Sequence, residues 1–325
     1  MKKIISILTL IISLLCFPAC KKGGETLTIY APDGAPALSL SYAIENCNDK
    51  ISYNIVGSDV ITAKVTGENP VADVAIIPIN VASLYLGSGS VYQILGTITH
   101  GNFYFLSKTE GEITKQNATN LVGKTIGVVQ LPNIPGLTLK ATLNDLNVPF
   151  NELKNGAQKA QDKVNLIAIK PTEIGVTGCD YYLAPSPAAD LKADKLSLNF
   201  VGDLGALYSE NGFPQAVIVA KKSVLGSNFD KVKAVINGIK ASENYLKIEN
   251  KTAICSAIKG RLEDGLTPSF NEQNLTENAI KRSSIKFVSA KNSRAEIEEF
   301  LLKIKAVNAN AVKEISNDFW FEGEF

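Results

Sequence analysis

Apolar and polar positions follow two rhythms along this chain, and the rhythm switches repeatedly. Thr26 to Ala31 alternates with a period of two, as a half-buried strand does, and ends in Pro32-Asp33-Gly34-Ala35-Pro36, a turn leading into a helix. Ala37, Leu40 and Ile44 then recur at helical spacing, with Pro36 suited to a first helical turn. Ile51 to Val56 predicts a second strand, followed by Gly57-Ser58-Asp59 and a helix reaching to about Gly67. Ala72 to Ile77 is an unbroken apolar run of buried-strand type, and Asn80 to Leu86 predicts the helix after it. Val91 to Thr99 and Phe103 to Ser107 predict further strands. After a polar stretch, Lys108 to Asn120, the cycle restarts. Leu121 to Val129 opens a second lobe and Gln130 to Gly136 predicts a loop; Leu139, Leu143 and Leu146 then share one helix face before a strand at Val164 to Ile169. Phe200 to Tyr208 and Ala216 to Ala220 predict strands that bring the chain back. Beyond Asn228 the pattern is helical, interrupted by a strand at Ser284 to Val288.

One phrase is written twice. DVAIIPINVASL from Asp73 and DYYLAPSPAADL from Asp180 share Asp, Pro, Ala and Leu at Asp73, Pro78, Ala82 and Leu84, and at Asp180, Pro185, Ala189 and Leu191. Each follows a Val-Thr-Gly tripeptide, at Val65 to Gly67 and Val176 to Gly178. The shared local structure is a helix tail ending on Gly, a buried strand, then a Pro that opens the next helix. Strands alternating with helices predict an α/β fold of mostly parallel sheets covered on both faces. Two Rossmann-like lobes built alike, each presenting loops at strand carboxyl ends, imply a ligand held in a cleft between them. The chain is expected to cross between lobes twice, near 106 and near 210. The first lobe would then comprise 26–106 and 210–325, with a helical C-terminal part, and the second 107–209.

The N-terminus changes the picture of where the protein works. Lys2 and Lys3 precede an apolar run from Ile4 to Leu15, then Phe17-Pro18-Ala19-Cys20 and Lys21-Lys22-Gly23-Gly24. The run is short for a membrane span and has the layout of an export signal. Residues 1–20 resemble a bacterial lipoprotein signal with Cys20 as the lipidated residue, and 21–25 would be a tether. Removing Lys2 and Lys3 lowers the basic count from 33 to 31 against 32 acidic side chains, a net charge near −1. That balance gives no reason to expect nucleic acid. Cys47, Cys179 and Cys255 remain as an odd set, expected to be buried thiols, with a Cys47–Cys255 bridge as the alternative.

The segments Asp73 to Pro78, Leu121-Val122-Gly123-Lys124-Thr125-Ile126-Gly127 and Asp180 to Pro185, in this order and spacing, resemble the bacterial ABC-transporter substrate-binding proteins of type II periplasmic fold. The likeness is to the branch handling nitrate, sulfonates, taurine and thiamine-pyrimidine precursors. Asn317-Asp318-Phe319-Trp320-Phe321 also resembles the terminal motif of a lipoprotein subgroup. The resemblance implies a monomeric receptor that closes two lobes on a small solute and presents it to a membrane permease, without cofactor or catalysis. The chain departs from the pattern in two places. Many relatives carry a Gly-rich, Ser/Thr-containing turn where Gln130 to Gly136 has two prolines, and a pocket Glu is replaced by Pro185-Ser186-Pro187. An exported interaction protein on the same fold is one alternative. An enzyme of pyrimidine-synthase or dehydratase type is another.

His100 is the only histidine, so a multi-histidine metal site is excluded, and no G-x-S-x-G elbow exists for a Ser–His hydrolase. Gly87-Ser88-Gly89-Ser90 follows a helix and lacks the Lys-Ser/Thr ending of a phosphate loop. The candidate ligand groups are therefore those at strand ends and crossings. Asp33, Gly34 and Ala35 precede the first helix, where Asp33 could accept from an amine or cap the helix. Ser58 and Asp59 follow the second strand, with N-capping the expected job there. Asn80 begins the helix after Pro78, and His100 lies between two strands. Gln130, Asn133 and Ser186 supply neutral polar groups from the second lobe, and Tyr104, Tyr208 and Phe213 supply aromatic faces near the crossings. No arginine (Arg261, Arg282, Arg294) falls in these loops. The inventory favours a neutral or weakly cationic heterocycle.

Overall fold

The computed structural model describes residues 26–46, 50–154 and 157–325. The expected signal, the tether, Cys20 and Cys47 lie outside the described residues. Twelve strands run in chain order: β1 Leu27–Pro32, β2 Ile51–Val56, β3 Val74–Pro78, β4 Tyr92–Thr99, β5 Phe103–Ser107, β6 Thr125–Val129, β7 Phe150–Glu152, β8 Val164–Ile169, β9 Tyr181–Pro185, β10 Asn199–Asp203, β11 Ala216–Lys221 and β12 Ile285–Ser289. They form two six-stranded sheets, ordered β12-β4-β11-β3-β1-β2 and β10-β5-β9-β6-β8-β7. The fold is α/β with two lobes, as the rhythm of the sequence predicts. The chain leaves the first sheet at Thr99, enters the second at Phe103, and returns between Asp203 and Ala216.

Strand direction follows from those passages. In the first sheet β1 to β4 share a direction, while β11 and β12 oppose it; in the second sheet only β5 is reversed. A strand arriving from the other lobe starts at the cleft and runs away from it, against strands that end there. β5 and β11 are the two arriving strands.

The unbroken apolar run at β3 is explained by burial on both faces. Val74 and Ile76 pack with Leu38 of α1 (Ala35–Ser39), while Ala75 and Ile77 join Ile61 and Val56 on the opposite side. Further helices are α2 Ile134–Asp145, α3 Ala188–Leu196, α4 Leu204–Tyr208, α5 Phe229–Tyr245, α6 Lys251–Lys259, α7 Glu277–Arg282 and α8 Ala290–Val307. Val232, Ile236 and Ile239 of α5 cover the Val74 face, and Ile297, Phe300 and Ile304 of α8 cover the Ala75 face.

The written repeat is also a structural repeat. Asp73 accepts a hydrogen bond from the Thr28 amide at 3.0 Å while its own N–H donates to the Thr28 carbonyl at 2.9 Å. Asp180 does the same with Thr125, at 2.8 and 3.0 Å. Thr66 and Thr177 each donate to the carbonyl four residues earlier, and Gly67 and Gly178 both adopt positive φ, 94° and 68°. The likeness ends after the strand: Pro78 directly precedes a helical turn, whereas Pro187, two residues beyond Pro185, precedes α3.

Several expectations need correction. Phe200 to Tyr208 is not one strand, because the Asp203 carboxylate accepts from the Gly205 and Ala206 amides at 2.7 and 3.3 Å and starts α4. The helix after β2 is confined to Ile61–Val65, and the one after β3 is a short turn at Ile79–Val81 continuing as a π-helical turn at Ala82–Leu86. β7, short and half-exposed, has no strong apolar signal. Arg294 stacks on Trp320 at 5.1 Å, and the terminal aromatic motif packs Phe319 and Trp320 into the first lobe, against β4.

Candidate functional site

The parallel strands of both sheets point their carboxyl ends at one cleft, so the loops after β1, β2, β3, β6 and β9 face each other. After β1, Gly34 takes φ 99°, a left-handed value that glycine adopts without cost, and Ala35 begins α1, buried. Asp33 uses one carboxylate oxygen for the Gly34 amide at 2.8 Å and the other for the Ser269 amide at 2.6 Å. Burial raises its pKa above the ordinary carboxylate value, against the lowering effect of those donors. Asp33 is thus not a side-chain cap of α1; it holds Ser269 of a distant loop, residues 263–276.

After β2, Ser58 does not cap the following helix, whose N-terminal residue is preceded by Val60 without any side-chain cap. Instead the Ser58 hydroxyl accepts from Gln130 Nε2 at 2.8 Å, bringing the two lobes into contact. Gln130 itself sits at φ 61°, a left-handed conformation that a residue with a Cβ adopts at some cost. Its carbonyl accepts from the Asn133 amide at 2.9 Å, which closes the loop. Asn133 precedes α2 without capping it and is exposed. Gly136 lets this loop fold tightly, since a Cβ there would lie 2.0 Å from the Leu131 carbonyl oxygen.

The loops after β3, β4 and β9 meet at the first passage. Ser186 is buried; its amide donates to the Asn102 carbonyl at 2.8 Å, and Asn102 Nδ2 donates back to the Ser186 carbonyl at 2.7 Å. The Ser186 hydroxyl donates to Asp190 at 2.6 Å, and the second Asp190 oxygen accepts from Arg282 at 2.6 Å. Arg282, the last residue of α7, also lies over the Phe200 ring at 3.7 Å and the Tyr104 ring at 5.9 Å. An arginine therefore links the two sheets, paired to Asp190, although its sequence position is remote from every ligand loop. Asn274 Nδ2 lies 3.5 Å from the Pro187 carbonyl, another contact from the 263–276 loop to the second lobe. Asn80 is buried with its Oδ1 unpartnered, and Thr99 and Asn102 likewise carry unpartnered buried oxygens.

The remaining candidates are engaged with the protein itself. His100 Nε2 lies 3.2 Å from the Thr97 hydroxyl and 3.1 Å from the Lys286 carbonyl, and burial pulls its pKa below the ordinary value. Tyr104 is buried edge-on to Phe200, and burial raises its phenol well above the ordinary value. Phe213 is fully buried, with Phe103 stacked on it at 5.9 Å and Phe300 at 5.5 Å. Tyr208 packs edge-on against Phe213 and Phe300, beneath the Lys303 ammonium at 4.7 Å, and burial pushes its phenol up to about 12. The structure thus joins Ser58 to Gln130 and Ser186 to Asn102, ties Asp33 to Ser269, buries Asn80, leaves Asn133 exposed and places Phe213 in the core.

Sequence reasoning missed Thr99, Asn102, Gln215, Ser269, Asn274 and Arg282. For the first two a local signal existed, a polar quartet, Thr99 to Asn102, wedged between two apolar strands. The other four arrive from distant segments, and nothing local marks them. Among the described residues no group of three or more His, Cys, Asp or Glu is placed to hold a metal ion, and no helix is long and apolar enough to cross a membrane.

No family model and no curated protein matches the chain. Solved structures do match in fold. An ABC transporter from Parabacteroides distasonis superposes with a TM-score of 0.69 at 16% identity, over 92% of this chain and 100% of that one. The periplasmic aliphatic sulphonate binding protein SsuA from Escherichia coli gives a TM-score of 0.61 at 12% identity, over 93% and 95% of the two chains. The desulfurization enzyme DSZB gives 0.53 at 13% identity, over 92% and 97%. The chain shares its fold with the sulphonate binding protein and with the enzyme alike, and the resemblance read from the sequence implies the same fold.

Proposed function

We propose that this protein is the solute receptor of an ABC importer, exported, held to a membrane by lipid on Cys20, and closing its lobes on a small organic nutrient for delivery to a permease. The observation that carries this reading is the meeting of strand ends from two sheets across one cleft, with Gln130 bonded to Ser58 from opposite sides. Loops at such switch points are where open α/β sheets bind ligands. The fold shared with binding proteins supports the same role. We assign ligand contact to Asp33, Gly34, Ser58, Asn80, Gln130, Asn133 and Ser186, and favour a neutral or weakly cationic heterocycle.

A binding protein works by closing, and a ligand drives closure only through its greater affinity for the closed state. The reading is tested by a thermal-shift panel of heterocycles, amines, amino acids and sulfonates on the purified protein. A ligand present at a hundredfold over its dissociation constant adds about 2.7 kcal/mol of stability. A dose-dependent rise for one chemical class is expected; a flat response after refolding from denaturant removes the receptor reading. The enzyme reading, kept in view by the fold shared with DSZB, predicts consumption of the compound that binds. Cys179 lies at the amino end of β9, away from the cleft, and burial pushes the Cys255 thiol on α6 up to about 11. Neither is poised as a cleft nucleophile.

A further inference from the structure

Three buried oxygens without partners collect around a single residue, Gln215. The Gln215 amide donates to the Thr99 carbonyl at 3.0 Å, its carbonyl accepts from the Ile79 amide at 3.0 Å, and its side-chain Oε1 accepts from the Asn102 amide at 3.1 Å. Thr99 Oγ1 and Asn102 Oδ1, on two residues bonded to Gln215, and Asn80 Oδ1, on the residue after Ile79, are all unpartnered. Thr99 is 0% exposed, Asn102 1% and Asn80 6%. Buried polar atoms are almost always paired, because leaving one unpaired forfeits its hydration without return. Three together at the carboxyl end of one sheet, beside the passage to the other, call for a partner that is not the chain itself.

The chemistry of that partner can be read from Asn102. Its Nδ2 donates to the Ser186 carbonyl, which can only accept, so the amide orientation is set and the free atom is the acceptor. Asp33, at the end of β1 beside β3, adds a carboxylate to the same end of the sheet. Asn102 Oδ1 wants a donor, while the Thr99 hydroxyl can accept or donate and so tolerates either. We infer that Asn80, Thr99 and Asn102 form the head-group subsite of the ligand, and that the head presents an N–H donor to Asn102 Oδ1, as in an amidine, an amide or an aminoheterocycle. Sulfonate and carboxylate heads, which carry acceptors only, would set oxygen against Asn102 Oδ1 and Asp33. The inference rests on the receptor reading and narrows it.

The test compares benzamidine and cytosine with benzoate and ethanesulfonate, the first and third being matched in size. Binding to the purified protein is measured by calorimetry alongside Thr99→Val and Asn80→Leu. Both substitutions remove a group that has no partner in the unliganded protein, so the ligand-free melting temperature should hold or rise. Affinity for the N–H-bearing probe should fall about tenfold in each. A folded Thr99→Val protein of unchanged affinity, a lowered ligand-free melting temperature in both variants, or a preference for benzoate or ethanesulfonate overturns the subsite while leaving a receptor. Failure of every compound in this and the wider panel overturns both.

Discussion

At the scale of single residues, the protein spends its scarce groups on itself or on the cleft, and burial decides which. His100 illustrates the first case. Its ring is held neutral, mainly by burial, with the Lys286 charge acting the same way and the bond to the Lys286 carbonyl opposing both. Unfolding frees the ring to take a proton. The stability contributed by the neutral ring is therefore complete above the ordinary value of 6.5 and lost as pH falls from there through the lowered folded value. Urea midpoints measured from pH 8 to pH 5 should fall for the wild type and fall less for His100→Gln. Equal slopes would assign the acid sensitivity elsewhere. A lone histidine in a strand-end loop was visible in the sequence. That its ring bonds to the carbonyl of a residue 186 positions later was not, because β12 enters the sheet beside β4 only in three dimensions. Ser269 and Arg282 were invisible for the same reason.

At the scale of elements, the aspartates of the written repeat pin each central strand to its neighbour. Asp73 also pairs with Lys221 at 3.1 Å, whereas the side-chain partner found for Asp180 is the Thr125 amide alone. Replacing each by Ala should cost about 1 kcal/mol for the lost bond, with Asp73→Ala the costlier of the two. The two sites lie in different sheets and share no partner, so the double variant should show the sum. Urea titrations of the singles and the double measure this, and a strongly non-additive double would show that the sheets unfold as coupled units. Elements were the most legible level in the sequence. β2, β5 and β8 fall where the sequence predicts them, β5 because it is buried throughout and β2 because its buried and half-buried positions alternate. β7, at a half-exposed edge, leaves no strong signal, and β10 was overextended because the capping role of Asp203 is a matter of geometry, not of hydropathy.

At the scale of the whole molecule, closure is written in contacts between the sheets: Gln130 with Ser58, Asn274 with Pro187, Lys303 with Asp145 at 3.0 Å, and Arg282 with Asp190. The last combines an ion pair with a ring contact on Phe200 and leaves the Asp190 side chain only 7% exposed. Arg282→Ala strands that carboxylate, so the closed arrangement should loosen by about 1–3 kcal/mol, a figure reduced for the partial exposure of Arg282. The radius of gyration of the ligand-free protein in solution scattering should increase, and Arg282→Lys should not restore it, because an ammonium lacks the planar fork that pairs and stacks. An unchanged radius would mean that the other contacts hold the lobes together unaided. The sequence announced two lobes and a cleft through its repeat, yet two of the four contacts between them, from Asn274 and Arg282, come from the 263–282 region, which carries no copy of that repeat. One further property follows from the return path of the chain. Tyr104 pairs with Asp203, so the strand that enters the second sheet and the strand that leaves it lie side by side. Everything between them is a loop of chain whose two ends touch. The second lobe is therefore a cassette, and a counterpart with the same paired ends could be exchanged for it in a single splice to graft a new half of the binding surface onto the old one.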